Sequence, residues 1–184
     1  SEGTVRPGAR AHRAAPGAAT AAAPGAEAAR ALSALMPATG DILTLAPVLV
    51  LTAAGVLLVL TEVFLRGSSR GYQVWLAAIA SLTALGACAW LGRDPARAVF
   101  GGYAQADPFG YFVSATVAGA LALTVLVAAG YLRELGAERG EFYGLALWAA
   151  AGMMLLAHAA DLVMIFIALE VLSLATYALS AYLR

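Results

Sequence analysis

The stretch from residue 161 to residue 184, DLVMIFIALEVLSLATYALSAYLR, decides the fold because it places about twenty apolar or small residues in succession. A helix rises 1.5 Å per residue, so a run of this length crosses the roughly 30 Å hydrocarbon core of a bilayer. Residues 162–183 are therefore predicted to form a transmembrane helix. One carboxylate, Glu170, interrupts the apolar run about 12 Å from its start.

Four further apolar runs of similar length precede this one, at residues 42–65, 72–91, 109–132 and 142–160. The whole chain is 62% hydrophobic and 12% charged, with a mean hydropathy of +0.82, which is typical of a protein that lies in lipid. The runs lack the short alternating pattern of a membrane barrel. We therefore predict an all-α fold, a polytopic bundle of about five transmembrane helices over residues 41–184, with the lipid bilayer as its environment.

Residues 1–40 have a different composition, rich in alanine, proline, glycine and arginine. Such a segment buries too little apolar surface to offset the entropy of ordering, so we predict a disordered tail. Met36 opens the sequence MPATGDILTLAPVL directly before the first apolar run. This position favours Met36 over Ser1 as the true start of translation.

The arginines predict the orientation of the bundle, because basic residues accumulate in cytoplasmic loops and the chain contains no lysine. Five arginines follow the odd-numbered runs and two follow the second run: Arg66, Arg70, Arg133, Arg139 and Arg184 against Arg93 and Arg97. The bias predicts an outer N-terminus. If the arginines of the tail were counted, the arginine bias would disappear. This again favours Met36 as the start of translation. The alanine- and arginine-rich composition favours a bacterial plasma membrane.

Most charged residues have a structural interpretation from their position. Glu62 precedes Arg66 by four residues near the end of the first run, which predicts an ion pair at the membrane interface. His158 and Asp161 lie in the turn HAAD between the last two runs. We predict that Asp161 caps the last helix and that His158 faces outer water. The alternative is a protonatable pair at the mouth of a pathway.

Glu170 lies near mid-membrane, where an acidic side chain costs at least about 2.5–3.5 kcal/mol. Such residues normally face a bundle interior or a water-filled cavity and take part in transport or proton relay. The alternative is a protonated, hydrogen-bonded contact between helices. Ser173 and Tyr177 follow at helical spacing on the same face and offer hydroxyl groups for either role.

Motifs for cofactor chemistry are missing from the sequence. It contains no HExxH, GxGxxG or Walker spacing. Its single cysteine, Cys88, permits neither an internal disulfide nor a cysteine-ligated cluster and is interpreted as helix packing. We predict no cofactor site and no metal site in this chain, and no nucleic-acid partner.

Several segments resemble, in order and spacing, subunit N of proton-pumping NADH-quinone oxidoreductase, respiratory complex I. They are DPFGYF (107–112), AAGYLRE (128–134), GEFY (140–143), GMMLLA (152–157) and LEVLSLATY (169–177). The resemblance covers nearly all of residues 37–184. Subunits M and L and the Mrp-type antiporters share the architecture, but their corresponding motif contains WE. One departure is Ala175, where the family commonly has a kink-forming proline.

The resemblance implies an antiporter-like subunit that translocates protons as part of a quinone-reducing enzyme complex. It implies that Glu170 pairs with a lysine on a later helix and tunes the protonation of that lysine. From their positions in the sequence, Ser173, Tyr177, Asp161 and His158 are candidate supporting residues. The expected partners are the other membrane-arm subunits. NADH, FMN, the iron–sulfur clusters and the quinone are expected elsewhere in the complex.

The resembled family has about fourteen helices, whereas this chain has five predicted ones and no lysine. We therefore expect a fragment or one half of a split subunit, which cannot pump protons alone. Two alternatives stay open. In the first alternative, the chain is a subunit of a Mrp-type cation/proton antiporter or of a membrane hydrogenase. In the second, it is a structural bundle in which Glu170 only packs.

Overall fold

The computed structural model describes residues 39–64, 71–134 and 140–182. Their helices, in chain order, are α1 (Thr39–Thr44), α2 (Ala46–Phe64), α3 (Gly71–Leu91), α4 (Pro108–Glu134), α5 (Gly140–Ala157) and α6 (Leu162–Ala181). Of these, α2 to α6 are long and apolar enough to cross a membrane. The predicted bundle of five transmembrane helices is confirmed, and the protein is a membrane protein. The predicted tail and Met36 lie outside the described residues.

Two helix boundaries differ by three residues or more from those predicted. The first span, predicted as one helix over residues 42–65, is divided at Leu45. Pro47 follows two residues later, and proline has no N–H for the helical ladder, so it is accommodated in the first turn of α2. The fourth span was predicted to reach residue 160. It ends at Ala157, because the His158 carbonyl oxygen and the Ala160 N–H bond to the backbone of Gln105 and Tyr103 in the segment between α3 and α4.

A short β-hairpin between α3 and α4 was not predicted. Strands β1 (Arg97–Val99) and β2 (Ala104–Ala106) pair antiparallel, and a single 3₁₀ turn joins them. Gly101 and Gly102 adopt positive φ angles of 67° and 98° in this turn, a region that glycine enters without steric cost. Ala104 also pairs with Ala159 in the α5–α6 connection. The hairpin therefore lies at the end of the bundle where α6 begins.

The buried core is formed by α2, α3, α4 and α5. The central helix is α5, which packs against α2, α4 and α6, and 56% of its membrane span is buried. In contrast, α6 packs chiefly against α5, and only 11% of its span is buried. Most of the surface of α6 is therefore left uncovered by the described chain.

Close approach of the helices depends on glycines in α2 and α5. A Cβ atom built on Gly152 would lie 2.8 Å from the backbone nitrogen of Leu172 in α6, and one on Gly144 would lie 3.2 Å from the carbonyl oxygen of Gly55. Gly55 in turn lies under the indole of Trp148. In contrast, a Cβ atom built on Gly119 in α4 would meet no neighbouring atom within 4 Å.

Three helices meet at the Glu62 carboxylate, at the end of the bundle where α5 begins. Its Oε2 accepts hydrogen bonds from the Gly140 backbone N–H at 3.1 Å and from the side-chain amide of Gln73. Gln73 is 1% exposed, and Gly140 starts α5, whose first N–H groups have no partner within the helix. Glu62 thus satisfies two donors on neighbouring helices. Its predicted partner, Arg66, lies outside the described residues.

Replacing this carboxylate should loosen the start of α5. Glu62→Ala is expected to lower the free energy of unfolding by about 1–2 kcal/mol, because the Gln73 amide and the Gly140 N–H lose their acceptor. The measurement is SDS-titrated unfolding of the native protein followed by circular dichroism. Glu62→Gln keeps a carbonyl acceptor and should lose less than half as much. An equal loss in both variants would assign the effect to the charge and not to hydrogen bonding.

Candidate functional site

The helix that carries Glu170 begins with a side-chain cap. Asp161 has an extended backbone, and its Oδ1 accepts a hydrogen bond from the Val163 N–H at 2.8 Å. This is the geometry in which Asp, Asn, Ser and Thr satisfy a free N–H at a helix start. The capping role predicted for Asp161 is confirmed. Its carboxylate fixes where α6 starts and therefore the depth at which Glu170 lies.

The cap can be tested with two substitutions. Asp161→Ala should destabilise the start of α6 by about 1 kcal/mol, whereas Asp161→Asn should be close to neutral because the amide oxygen also accepts from the Val163 N–H. Hydrogen exchange of the first-turn amides of α6 in the native protein reports on this directly. A matching rise in exchange for both variants would contradict capping by the side-chain oxygen.

Glu170 lies on the face of α6 that points away from α5. The buried residues of α6 are Ala168 and Ala175, seven residues apart on one face. Glu170 follows Ala168 by two positions, which is about 200° around the helix. Its side chain is exposed, and within the described residues its carboxylate makes no hydrogen bond or ion pair. The described bundle therefore does not supply a partner for Glu170.

The two hydroxyls predicted near Glu170 do not bond to its carboxylate. Ser173 donates to the carbonyl oxygens of Leu169 and Glu170, at 2.6 and 3.3 Å, within its own helix. Tyr177 shares the Glu170 face and is 70% exposed. The structure thus places both residues on or beside this face, as predicted from their spacing. Neither of them neutralises the carboxylate.

The surroundings of Glu170 on the uncovered face are apolar. The large exposed side chains along it are Val163, Phe166, Ile167 and Leu174. A carboxylate amid such a stripe at mid-membrane depth is costly unless it is protonated or meets a cation or water. The chemistry available to Glu170 is therefore reversible protonation, or an ion pair with a group outside the described residues.

His158 was predicted to face outer water, and that prediction is wrong. The residue is 2% exposed and lies between the hairpin and the start of α4. Its Nδ1 lies 3.0 Å from the Gln105 carbonyl oxygen, and its Nε2 lies 3.2 Å from Ser114 Oγ. Since Asp161 bonds to Val163, the alternative of a His158–Asp161 protonatable pair is not formed. The imidazole is buried because the unpredicted hairpin covers it.

Ser114 is a site neighbour that sequence reasoning missed. It is fully buried in the second turn of α4, 44 residues before His158 in the chain. Tyr111 contacts the His158 ring edge-on, with the ring centroids 4.8 Å apart. The sequence signal that could have indicated Ser114 was its position three residues after Tyr111, on the same face of α4. Without the hairpin, that spacing could not be connected to His158.

Comparison with known proteins gives relatives named as subunits of NADH- and NAD(P)H-quinone oxidoreductases. The chain is 41% identical over 145 residues to NADH-quinone oxidoreductase subunit N of Myxococcus xanthus. The aligned residues cover 78% of this chain and 28% of the Myxococcus xanthus protein. It is 37% identical over 131 residues to NAD(P)H-quinone oxidoreductase subunit 2 of a Synechococcus strain, covering 70% and 25% of the two chains. No protein-family model matches the chain.

A further relative has a different name. F(420)H(2) dehydrogenase subunit N of Methanosarcina mazei is 35% identical over 149 residues, covering 77% of this chain and 30% of its own length. The chain spans under a third of the length of each of these curated relatives. The resemblance to subunit N that was noticed in the sequence is confirmed.

Proposed function

Because the chain is a homologue of subunit N of NADH-quinone oxidoreductases, we propose that it takes part in proton translocation coupled to quinone reduction, with Glu170 as its intramembrane relay group. The observation that carries the proposal is the position of this carboxylate. It lies at mid-depth in a membrane helix, on an exposed apolar face, with no partner among the described residues. A carboxylate at this depth destabilises a membrane protein, and such residues are normally found where their change of protonation serves transport.

The proposed role of Glu170 is that of a switchable counter-ion. A cation brought against the exposed face of α6 favours the ionised carboxylate, and withdrawal of that cation favours the protonated form. Conversely, the carboxylate stabilises the charged form of its partner. The chain contains no lysine, so the lysine expected as that partner belongs to a segment beyond this sequence or to another subunit. Alternation between the two states therefore loads a proton on one group of the pair as the other group releases one.

The remaining chemistry is assigned to the rest of the complex. NADH oxidation, FMN, the iron–sulfur clusters and quinone reduction are proposed to reside in other subunits, with the membrane-arm subunits as direct partners of this chain. The relative from Methanosarcina mazei is named for a different electron donor. We therefore propose that the donor is selected outside this chain, and that the membrane helices serve proton movement whichever donor is oxidised.

The proposed location is a bacterial plasma membrane with the hairpin on its outer side. The five arginines at the ends of the first, third and fifth membrane spans, which are α2, α4 and α6, support this orientation. On the hairpin side, Arg93 donates to the Ala89 carbonyl oxygen and Arg97 donates to Gly40 and Thr44. Both outer arginines therefore act on backbone or hydroxyl groups near the ends of helices.

Purification of the native complex tests the proposed assignment. An affinity tag on the protein that carries this sequence should recover NADH:quinone oxidoreductase activity from mildly solubilised membranes. Recovery of cation/proton antiport partners without quinone reduction would instead favour the Mrp-type alternative. A complex with quinone reductase activity and no proton transport in liposomes would contradict the relay function.

A further inference from the structure

The hairpin is fastened to the connection from which α6 starts. The Gln105 N–H donates to the His158 carbonyl oxygen at 2.8 Å, and the Ala160 N–H donates to the Tyr103 carbonyl oxygen at 3.0 Å. These two bonds extend the hairpin by one strand-like segment, residues 158–160. The segment directly precedes Asp161, so any movement of the hairpin acts on the capped start of α6.

The His158 side chain reinforces this junction in one protonation state. Nδ1 faces the Gln105 carbonyl oxygen, which can only accept, so Nδ1 carries the hydrogen and donates it. In the neutral ring Nε2 is then the acceptor, and it faces the Ser114 hydroxyl, which donates to it. The neutral imidazole therefore satisfies one group on the hairpin and one on α4 at the same time.

The ring is tightly enclosed. A Cβ atom built on Gly110 would lie 2.7 Å from His158 Nδ1, so α4 can approach the ring only because glycine occupies this position. The edge of Tyr111 closes the pocket further. Burial lowers the pKa of His158 below its ordinary value of 6.5, and the Gln105 hydrogen bond and the Asp107 carboxylate oppose that shift. His158 lies outside the spans of α5 and α6.

Few charges are available to stabilise a protonated ring in this enclosure. Asp107 faces the ring, but its Oδ1 already accepts from the Gly110 N–H at 2.9 Å. Three other charged groups on the surrounding elements bond elsewhere: Asp41 to the Phe100 N–H, Arg97 to Gly40 and Thr44, and Asp161 to the Val163 N–H. Two further titratable groups, Cys88 and Asp94, interact electrostatically with Tyr111.

We propose that His158 is a pH-operated latch, which in its neutral form holds the hairpin against the start of α6 and releases it on protonation. Here the latch means the His158 ring together with its bonds to Gln105 and Ser114. On protonation Nε2 becomes a donor, Ser114 can no longer donate to it, and a buried charge replaces a neutral group. Release exposes the ring to water, where the charged form is favoured.

The sign of the pH dependence follows from the lowered pKa. The released state binds a proton near pH 6.5, whereas the latched state binds one only at lower pH. The latch is therefore at full strength above that value and weakens as the pH falls from 6.5 toward the pKa of the latched ring. This inference goes beyond the proposed function, because the latch operates whether or not Glu170 moves protons.

Hydrogen exchange in the native complex tests the latch. The reporters are the Gln105 and Ala160 amides, corrected for intrinsic exchange, with amides of α3 as the internal reference. In the wild-type complex we expect their protection to fall severalfold between about pH 8 and about pH 5, relative to α3, because the released ring binds a proton more readily than the latched ring. Protection that is independent of pH would overturn the proposal.

The matched variant is His158→Asn, whose amide can still donate to the Gln105 carbonyl but does not titrate. Its Gln105 and Ala160 protection should be independent of pH, and a wild-type pH dependence in this variant would overturn the proposal. If this variant does not assemble, Asp107→Asn serves instead, because asparagine also caps α4. Removing that carboxylate should move the midpoint of release to lower pH, and an unchanged midpoint would count against His158 as the titrating group.

Discussion

Glu170→Gln is expected to reduce proton translocation by the assembled complex at least about tenfold while leaving its subunit composition unchanged. Glutamine has nearly the same shape and also accepts hydrogen bonds, but it neither ionises nor exchanges a proton. Because Glu170 is exposed on α6 and makes no side-chain bond within the described residues, its replacement disturbs no described contact. The measurement is quinone-dependent acidification of liposomes that contain the purified complex.

Two further variants distinguish the effect of the ionisable group at position 170 from the effect of a polar side chain elsewhere on the same face. Glu170→Asp keeps an ionisable group about one methylene shorter and should retain part of the transport. Leu174→Gln places an amide one turn away on the same exposed face and should leave transport near the wild-type rate. Full transport by Glu170→Gln would mean that the residue only packs, as in the structural-bundle alternative. Loss of assembly in that variant would have the same implication.

The membrane helices and Glu170 could be predicted because each depends on a local property of the sequence. Run length and hydropathy define the spans, since a bilayer imposes a fixed thickness. The conspicuous position of Glu170 is visible because one carboxylate stands in an apolar run. Which way Glu170 points was harder to predict: the sequence favoured a bundle interior or a cavity, whereas α6 turns it away from α5. That orientation depends on the packing of Ala168 and Ala175 against α5.

The hairpin and the burial of His158 could not be predicted, because both depend on contacts between distant segments. Strands β1 and β2 have three residues each, too few for a period-two pattern, and their glycine turn resembles any loop. His158 is buried only because residues 104–106 lie over it and Gly110 leaves room for the ring. Asp161 was predictable, since a cap is recognised from its position alone.

Gly152→Ala is expected to destabilise the bundle by about 2–3 kcal/mol, although alanine is the better helix former. The added Cβ would lie 2.8 Å from the backbone nitrogen of Leu172 and 3.0 Å from its Cα, so the α6 backbone must move. Since α5 is the main packing partner of α6 in the described chain, this displacement would also shift Glu170. The measurement is SDS-titrated unfolding of the native protein, together with its proton transport.

The matched control for this substitution is Gly119→Ala in α4, where a Cβ meets no atom within 4 Å. Alanine there adds helix propensity without a clash, so stability should be unchanged or rise by up to about 1 kcal/mol. Both variants replace a helical glycine with alanine, so a difference in stability between them is caused by the α5–α6 contact at Gly152. Similar stability in both variants would mean that α5 and α6 can separate at little cost. In that case Glu170 would be positioned by its partner on the uncovered face and not by α5.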